Sequence, residues 1–183
     1  MVSKFSKILP IMKYRNRFDR TGECSEKGHD AESLFISIAE KQGWKTVKAD
    51  RKQQLSHIDV FLSKESYPTY SIDIKARKKI KRTDAETNDD LIWVEFLNVA
   101  GNGGWLVGAA EYIAFEREND FIMVNRSSLW KLCLKIVDQN DRVENSQNAL
   151  YKIYQRKGRK DEISIIKFSD IFNNLKFKVW PKC

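Results

Sequence analysis

Two runs of alternating apolar and polar residues flank a turn-prone stretch in the first half of the chain. His57-Ile58-Asp59-Val60-Phe61-Leu62 and the run from Thr69 to Arg77 have the period of two that marks half-buried strands, and Ser63-Lys64-Glu65-Ser66-Tyr67-Pro68 separates them. The pattern predicts a hairpin. With its turn centred near Ser66, residues symmetric about that position face each other, which sets Asp59 opposite Asp73 with Cβ atoms about 4.5 to 5.5 Å apart. The same alternation puts Ser71, Asp73, Lys75 and Arg77 on one face and Ile72, Ile74 and Ala76 on the other. The apolar face is expected in the core, and the charged face is expected to line a cleft.

Upstream, the segment Lys27 to Glu40 carries apolar residues at 31, 34, 35, 38 and 39, the spacing of an amphipathic helix that Gly43 ends. Strands are predicted at Trp44 to Ala49, Leu91 to Val99, Ala110 to Glu116 and Asp120 to Val124. A helix is predicted from Ser127 to Val137, begun by Ser127 or Ser128, with a polar loop from Asp138 to Gln147 after it. Leu150 to Arg156 and Ile163 to Phe168 form a second candidate hairpin across Lys157-Gly158-Arg159-Lys160, and Ser169 starts a short helix ending near Leu175. No internal repeat is visible. The mixed order of elements predicts an α/β fold, a mixed central β-sheet flanked by helices. At 183 residues and 42% hydrophobic content the chain can bury one good core, so one domain is the simplest count.

Chemistry enters through the acids. Two carboxylates facing each other across a hairpin repel, and a cation between them relieves the repulsion; oxygen ligands favour Mg²⁺ or Mn²⁺ over a thiolate-seeking metal. The plain alternative is a hairpin with paired charges on its wet face. Glu32 sits in the early turns of the first helix and borders its apolar stripe, from which it can reach the hairpin's acids. Its plain alternative is a first-turn acid favoured by the helix dipole.

Charge then narrows the partner. The chain carries 33 Lys and Arg against 25 Asp and Glu, a formal net charge of +8. Lys75, Arg77, Lys78, Lys79, Lys81 and Arg82 crowd the exit of the hairpin's second strand, as phosphate neutralisation requires, and predict salt-sensitive binding to a polyanionic partner. Lys4 to Arg20 holds six bases against Asp19, and Tyr151 to Lys160 holds five with two tyrosines; these two runs read equally well as solvated faces. Asp84, Glu86, Asp89 and Asp90 mark an exposed loop.

Other chemistries are set aside. The stretch Leu91 to Gly108 runs from a strand into a glycine-rich turn but lacks the lysine and spacing of a phosphate-binding loop, so no nucleotide cofactor is expected. Within it Glu95 shares the alternation of Trp93 and Leu97, and Asn98 and Trp105 are candidate DNA contacts; for all three a structural role is the leading reading. Cys24, Cys133 and Cys183 are too few and too widely spaced for a disulfide framework or a zinc knuckle. His29 and His57 are too few for a histidine metal site, and His57 reads as a residue on the strand face that carries Asp59. No nucleophile elbow is present. The apolar patch Ile8 to Met12, interrupted by Pro10, is too short for a signal peptide or membrane span, so a soluble, cytoplasmic protein is expected.

The order of helix with Glu32, strand, strand with Asp59, strand with Asp73-Ile74-Lys75 and a further strand resembles the PD-(D/E)XK nuclease superfamily. Lys27-Gly28-x-x-Ala31-Glu32 resembles the archaeal-type Holliday junction resolvases and related phage nucleases. The resemblance spans residues 27 to 116. It departs from the family name at Ile58, where proline is expected; Asp73 stands where glutamate is commoner, which the motif permits. It implies a restriction-endonuclease-like core in which Asp59, Asp73 and the carbonyl of Ile74 hold Mg²⁺ or Mn²⁺, with Glu32 bound directly or through water. Lys75 would orient the attacking water or help deprotonate it. The implied activity is a metal-dependent DNA endonuclease that leaves a 5′-phosphate and a 3′-hydroxyl, acts on branched DNA in recombination or repair, and works as a homodimer. The corresponding division is a basic N-terminal arm (1–22), a catalytic core (23–125) and a C-terminal helix, hairpin and short helix (126–183), all in one nuclease domain. The rival expectations are a restriction-type enzyme cutting duplex DNA and a non-catalytic DNA-binding or assembly protein that keeps the fold.

Overall fold

In the computed structural model, which describes residues 23–81 and 84–183, helix α1 (Glu23–Lys41) carries its buried side chains at the predicted spacing. Ala31, Phe35, Ile38 and Ala39 are all at most 5% exposed. The basic stretch Lys4 to Arg20, the patch Ile8 to Met12 and Arg82 lie outside the described residues. Gly43 takes a φ of +80°, the left-handed conformation that lets the chain turn out of the helix, and leads into β1 (Lys45–Lys48).

Asp50 then caps a short helix absent from the sequence reading, α2 (Arg51–Leu55). Its carboxylate accepts from the Gln53 amide while the Gln53 side chain accepts from the Asp50 amide, both at 2.8 Å, the reciprocal arrangement of a capping box. This helix corrects the reading of His57 as a strand residue. Ser56 caps α2 and His57 follows at φ 63°, in the left-handed position that commonly ends a helix, so β2 starts only at Val60 (Val60–Ser63).

The chain continues through β3 (Tyr70–Lys75), β4 (Leu91–Leu97), a 3-10 turn (Trp105–Val107), β5 (Tyr112–Glu116), β6 (Asp120–Asn125) and α3 (Arg126–Ile136). It ends with β7 (Asp138–Val143), β8 (Lys152–Tyr154), β9 (Glu162–Lys167), α4 (Phe168–Asn174) and β10 (Phe177–Pro181). Asn125 rather than Ser127 or Ser128 caps α3, its side chain accepting from the Ser128 amide at 3.0 Å. The expected polar loop after α3 instead contains β7, an edge strand that pairs parallel to β8 and alternates exposed with half-buried residues. Its sequence, Asp138-Gln139-Asn140-Asp141-Arg142-Val143, has almost no apolar alternation to announce it. The second hairpin forms as expected, Tyr154 pairing with Ile163.

Two mixed sheets result where one was expected. The first has the order β1-β2-β3-β5-β6-β10, with β3 and β5 parallel, and the second has the order β4-β9-β8-β7. β4 leaves the first sheet because Ile92, Val94 and Phe96 give it one apolar face, which it buries in a core shared with Ile113, Phe115, Ile122 and Val124 of the first sheet. α1 covers that sheet's opposite face, where Phe35 stacks on Trp180 at 5.0 Å and meets Phe121 edge-on at 5.2 Å. β3 is therefore covered on both faces. Among the described residues Cys133 and Cys183 are free thiols, and no helix is long and apolar enough to cross a membrane.

Candidate functional site

The β2–β3 ladder pairs Val60 with Ile72, Phe61 with Ser71 and Leu62 with Tyr70, the register expected from the hairpin's symmetry. Asp59 lies one residue before β2, beside Asp73. Its amide donates to the Ile72 carbonyl at 2.9 Å, and its Oδ2 accepts from the Ile74 amide at 2.7 Å. That second bond fixes the carboxylate against β3. A side chain has taken a position that a strand carbonyl would otherwise fill.

Asp73 does not line an open cleft as the alternation suggested. Ile113 and Phe115 stand beside Asp73 and Lys75 in the parallel ladder and belong to the core between the sheets, so this face of β3 is enclosed. Asp73 is 1% exposed. Lys75 is less enclosed, with 21% of its side chain exposed, and its Nζ donates to Asp73 Oδ1 at 2.5 Å. The ammonium also sits 5.5 Å from the centre of the Trp105 ring, which is held edge-on against Phe115.

Asp73 Oδ2 is buried and accepts no hydrogen bond. Burial pushes the Asp73 carboxyl up to about 8; Lys75 opposes the rise and Asp59 adds to it, through its charge and through a hydrogen bond that only a protonated Asp73 can offer. Two acceptors thus meet where the protein supplies no donor. Burial disfavours the Lys75 charge, but Asp73 and Asp59 outweigh it and hold the ammonium above its ordinary pKa. Lys75 is a resident cation in this site, not a ready base.

Glu32 enters from α1. It is 25% exposed, lies 3.8 Å from His29 Nδ1, and is raised by burial and then by the Asp59 charge. Among the described residues no three His, Cys, Asp or Glu side chains gather tightly enough to enclose an ion by themselves. The donor set that fits a hard divalent cation is the Asp59–Asp73 pair, with its uncompensated oxygen, and Glu32 within electrostatic reach of Asp59.

Two residues given a mainly structural reading from sequence stand close to this pair. Burial and the Lys75 charge lower the His57 pKa, and Glu95 and a hydrogen bond to Gly103 oppose that shift. Glu95 also acts on Lys75. The link is the glycine-rich turn. A Cβ on Gly104 would collide with the Glu95 carbonyl oxygen, and one on Gly108 would come within 2.7 Å of the His57 Cβ. Both glycines let the turn press onto the site. Arg126 clamps the same turn by donating from Nε to the Ala110 carbonyl at 2.7 Å and from Nη1 to the Leu106 carbonyl at 2.8 Å. No motif announced Arg126, because its role depends on carbonyls 16 and 20 residues away.

The basic run spreads over different settings. Arg77 Nε donates to Asp89 at 2.8 Å, and the Arg77 amide donates to Glu116 at 3.2 Å. Lys78 is exposed, while Lys79 and Lys81 are half-buried. Lys75, Arg77 and Lys78 line one groove with Leu91 and Trp93 of β4. Asn98 turns inward on its own loop, its Oδ1 accepting from the Ala100 and Asn102 amides. Set against family models, curated proteins and solved structures, the chain matches none.

Proposed function

We propose that this protein is a metal-dependent DNA endonuclease with a restriction-endonuclease-like core and its reaction centre at Asp59, Asp73 and Lys75. The observation that carries the reading is the buried Asp73 Oδ2, which finds no donor beside a second carboxylate. Burying such a pair is costly unless a cation or a proton lies between the two groups. Asp59, Asp73 and the Ile74 carbonyl would hold Mg²⁺ or Mn²⁺, with Glu32 contributing directly or through water.

When bound, the ion supplies charge neutralisation at the phosphoryl oxygens and a lower pKa for attacking water. The remaining work belongs to the chain. The Ile74 amide keeps the Asp59 carboxylate turned toward β3. Lys75, held as an ammonium by Asp73 and Asp59, supports the developing negative charge of the phosphoryl group and orients water toward it. Lys78 and Lys79 neutralise flanking phosphates. Branched DNA as substrate, and a homodimer with one site for each strand, belong to the same reading.

The test is cleavage of supercoiled plasmid, linear duplex and four-way junction DNA with Mg²⁺ or Mn²⁺. Wild type should cut, and Asp73→Ala and Lys75→Ala should each lose on the order of a hundredfold or more in rate. Equal background cleavage by all three proteins, with DNA binding retained, would leave a non-catalytic DNA-binding protein in its place.

A further inference from the structure

We propose that the outer face of the second sheet, where Trp93 meets Tyr154 beside the groove between the end of β3 and the edge strand β4, receives an unpaired nucleotide, its base stacked on the two rings and its phosphates against the lysines of the adjoining groove. This rests on the nuclease reading only for the position of the reacting phosphate. Ile92, Val94 and Phe96 are buried, so Trp93 lies on the opposite face of β4, turned away from the shared core. It is half-buried, as is Tyr154 of β8, and the two rings stand 6.2 Å apart at 44°.

The indole has one polar atom and has already used it. Trp93 Nε1 donates to the Lys79 carbonyl at 3.3 Å, which fixes the ring and leaves its π-surface as what it can offer a ligand. The charge around it is cationic. Trp93 shares its groove with Lys78, and the chain beyond Tyr154 runs through Lys157, Arg159 and Lys160. The two acids that line the groove are offset in place, Asp89 by Arg77 and Glu116 by Lys182, and the fully buried Asp161 beyond Tyr154 pairs with Arg156. The Lys157 to Lys160 tip also reaches the glycine-rich turn beside the site: the Lys160 amide donates to the Val99 carbonyl at 3.3 Å.

Aromatic faces between cations are what single-stranded nucleic acid needs. Lysines meet the backbone, and a base can offer its flat face only when it is not stacked in a duplex. A blunt duplex would reach the lysines but not the rings. The groove thereby selects a strand that is unpaired next to the bond to be cut.

The test measures binding without metal, by fluorescence anisotropy in EDTA at fixed salt, of a labelled single-stranded oligonucleotide and of the same sequence as a blunt duplex. The proteins are wild type, Trp93→Ala, Trp93→Phe and Tyr154→Ala. We expect wild type to favour the single strand. Trp93→Ala and Tyr154→Ala should each weaken single-strand binding about tenfold and leave duplex binding unchanged, while Trp93→Phe keeps most of the affinity. Tyr154→Ala gives an independent reading should Trp93→Ala fold poorly. Equal losses on both substrates, or no loss from either alanine variant, would overturn the proposal. Cleavage with Mg²⁺ on both substrates separates the two ideas: stacking without any cleavage sinks the nuclease reading alone, and cleavage that ignores Trp93 and Tyr154 sinks the stacking groove alone.

Discussion

Replacing Asp73 by asparagine should change how the stability of the metal-free protein depends on pH. The Asp73 carboxyl is pushed up to about 8 from an ordinary value of 3.8, so between those pH values the folded protein holds a proton that the unfolded chain has released. Stability falls with rising pH wherever the folded state binds more protons. The contribution is fully present below about pH 4 and is lost by about pH 8. At about 1.36 kcal/mol for each pKa unit, the gap of about four units sets a ceiling of about 5 to 6 kcal/mol. The Lys75 charge already opposes this rise, so relaxation around the buried charge is what lowers the ceiling, and a fall of about 2 kcal/mol from about pH 5 to about pH 8 is the working expectation.

The asparagine of Asp73→Asn carries no titrating proton, and its amide can donate toward the Asp59 carboxylate in place of the missing donor. The variant should follow wild type near pH 5 and be more stable by about 2 kcal/mol near pH 8, roughly 4 to 8 °C in Tm for a chain of this size. Urea unfolding at half-unit steps of pH, with EDTA present, measures both curves. Parallel curves from pH 5 to pH 8 would show that Asp73 is not forced to keep a proton, and the argument for a cation between the two acids would fall with it.

Three further outcomes follow from the same geometry. Mg²⁺ or Mn²⁺ at about a hundred times its Kd should stabilise wild type by about 2.7 kcal/mol, and Asp59→Asn or Asp73→Asn should remove most of that gain in a thermal shift titration. Arg126→Ala leaves the Ala110 and Leu106 carbonyls without their donor and should cost about 1 to 3 kcal/mol in urea unfolding, with a larger relative loss of nuclease rate than of DNA affinity if the turn positions Lys75 through Trp105. Gly104→Ala places a methyl group on the Glu95 backbone and should destabilise by about 1 to 3 kcal/mol, whereas Gly158→Ala, with open space around it but a φ of +73°, should cost about 1 kcal/mol.

Local pattern carried much of the fold. Ala31, Phe35, Ile38 and Ala39 repeat at helical spacing, and α1 buries them. The symmetry of the first hairpin about Ser66 is legible, and the ladder has that register, because Val60, Leu62, Ile72 and Ile74 pack under α1 and a slip of β3 by one residue would put Ser71, Asp73 and Lys75 there instead. The capping box at Asp50 and Gln53 is an equally local signal, four residues from the left-handed turn at His57 that follows the short helix.

Tertiary structure decided what periodicity could not express. Alternation assigns Asp73 and Lys75 to one face of β3, but whether that face meets water depends on what packs against it. The second sheet, brought in by β4, encloses it and converts an ordinary surface acid into a buried one with an elevated pKa. The same packing brings Glu95, Gly103 and His57 beside Lys75, and Arg126 onto carbonyls far away in sequence. The pair Asp59 and Asp73 was thus written in a strand pattern of period two. The burial that makes the pair costly without a cation came only from two sheets folding onto one core.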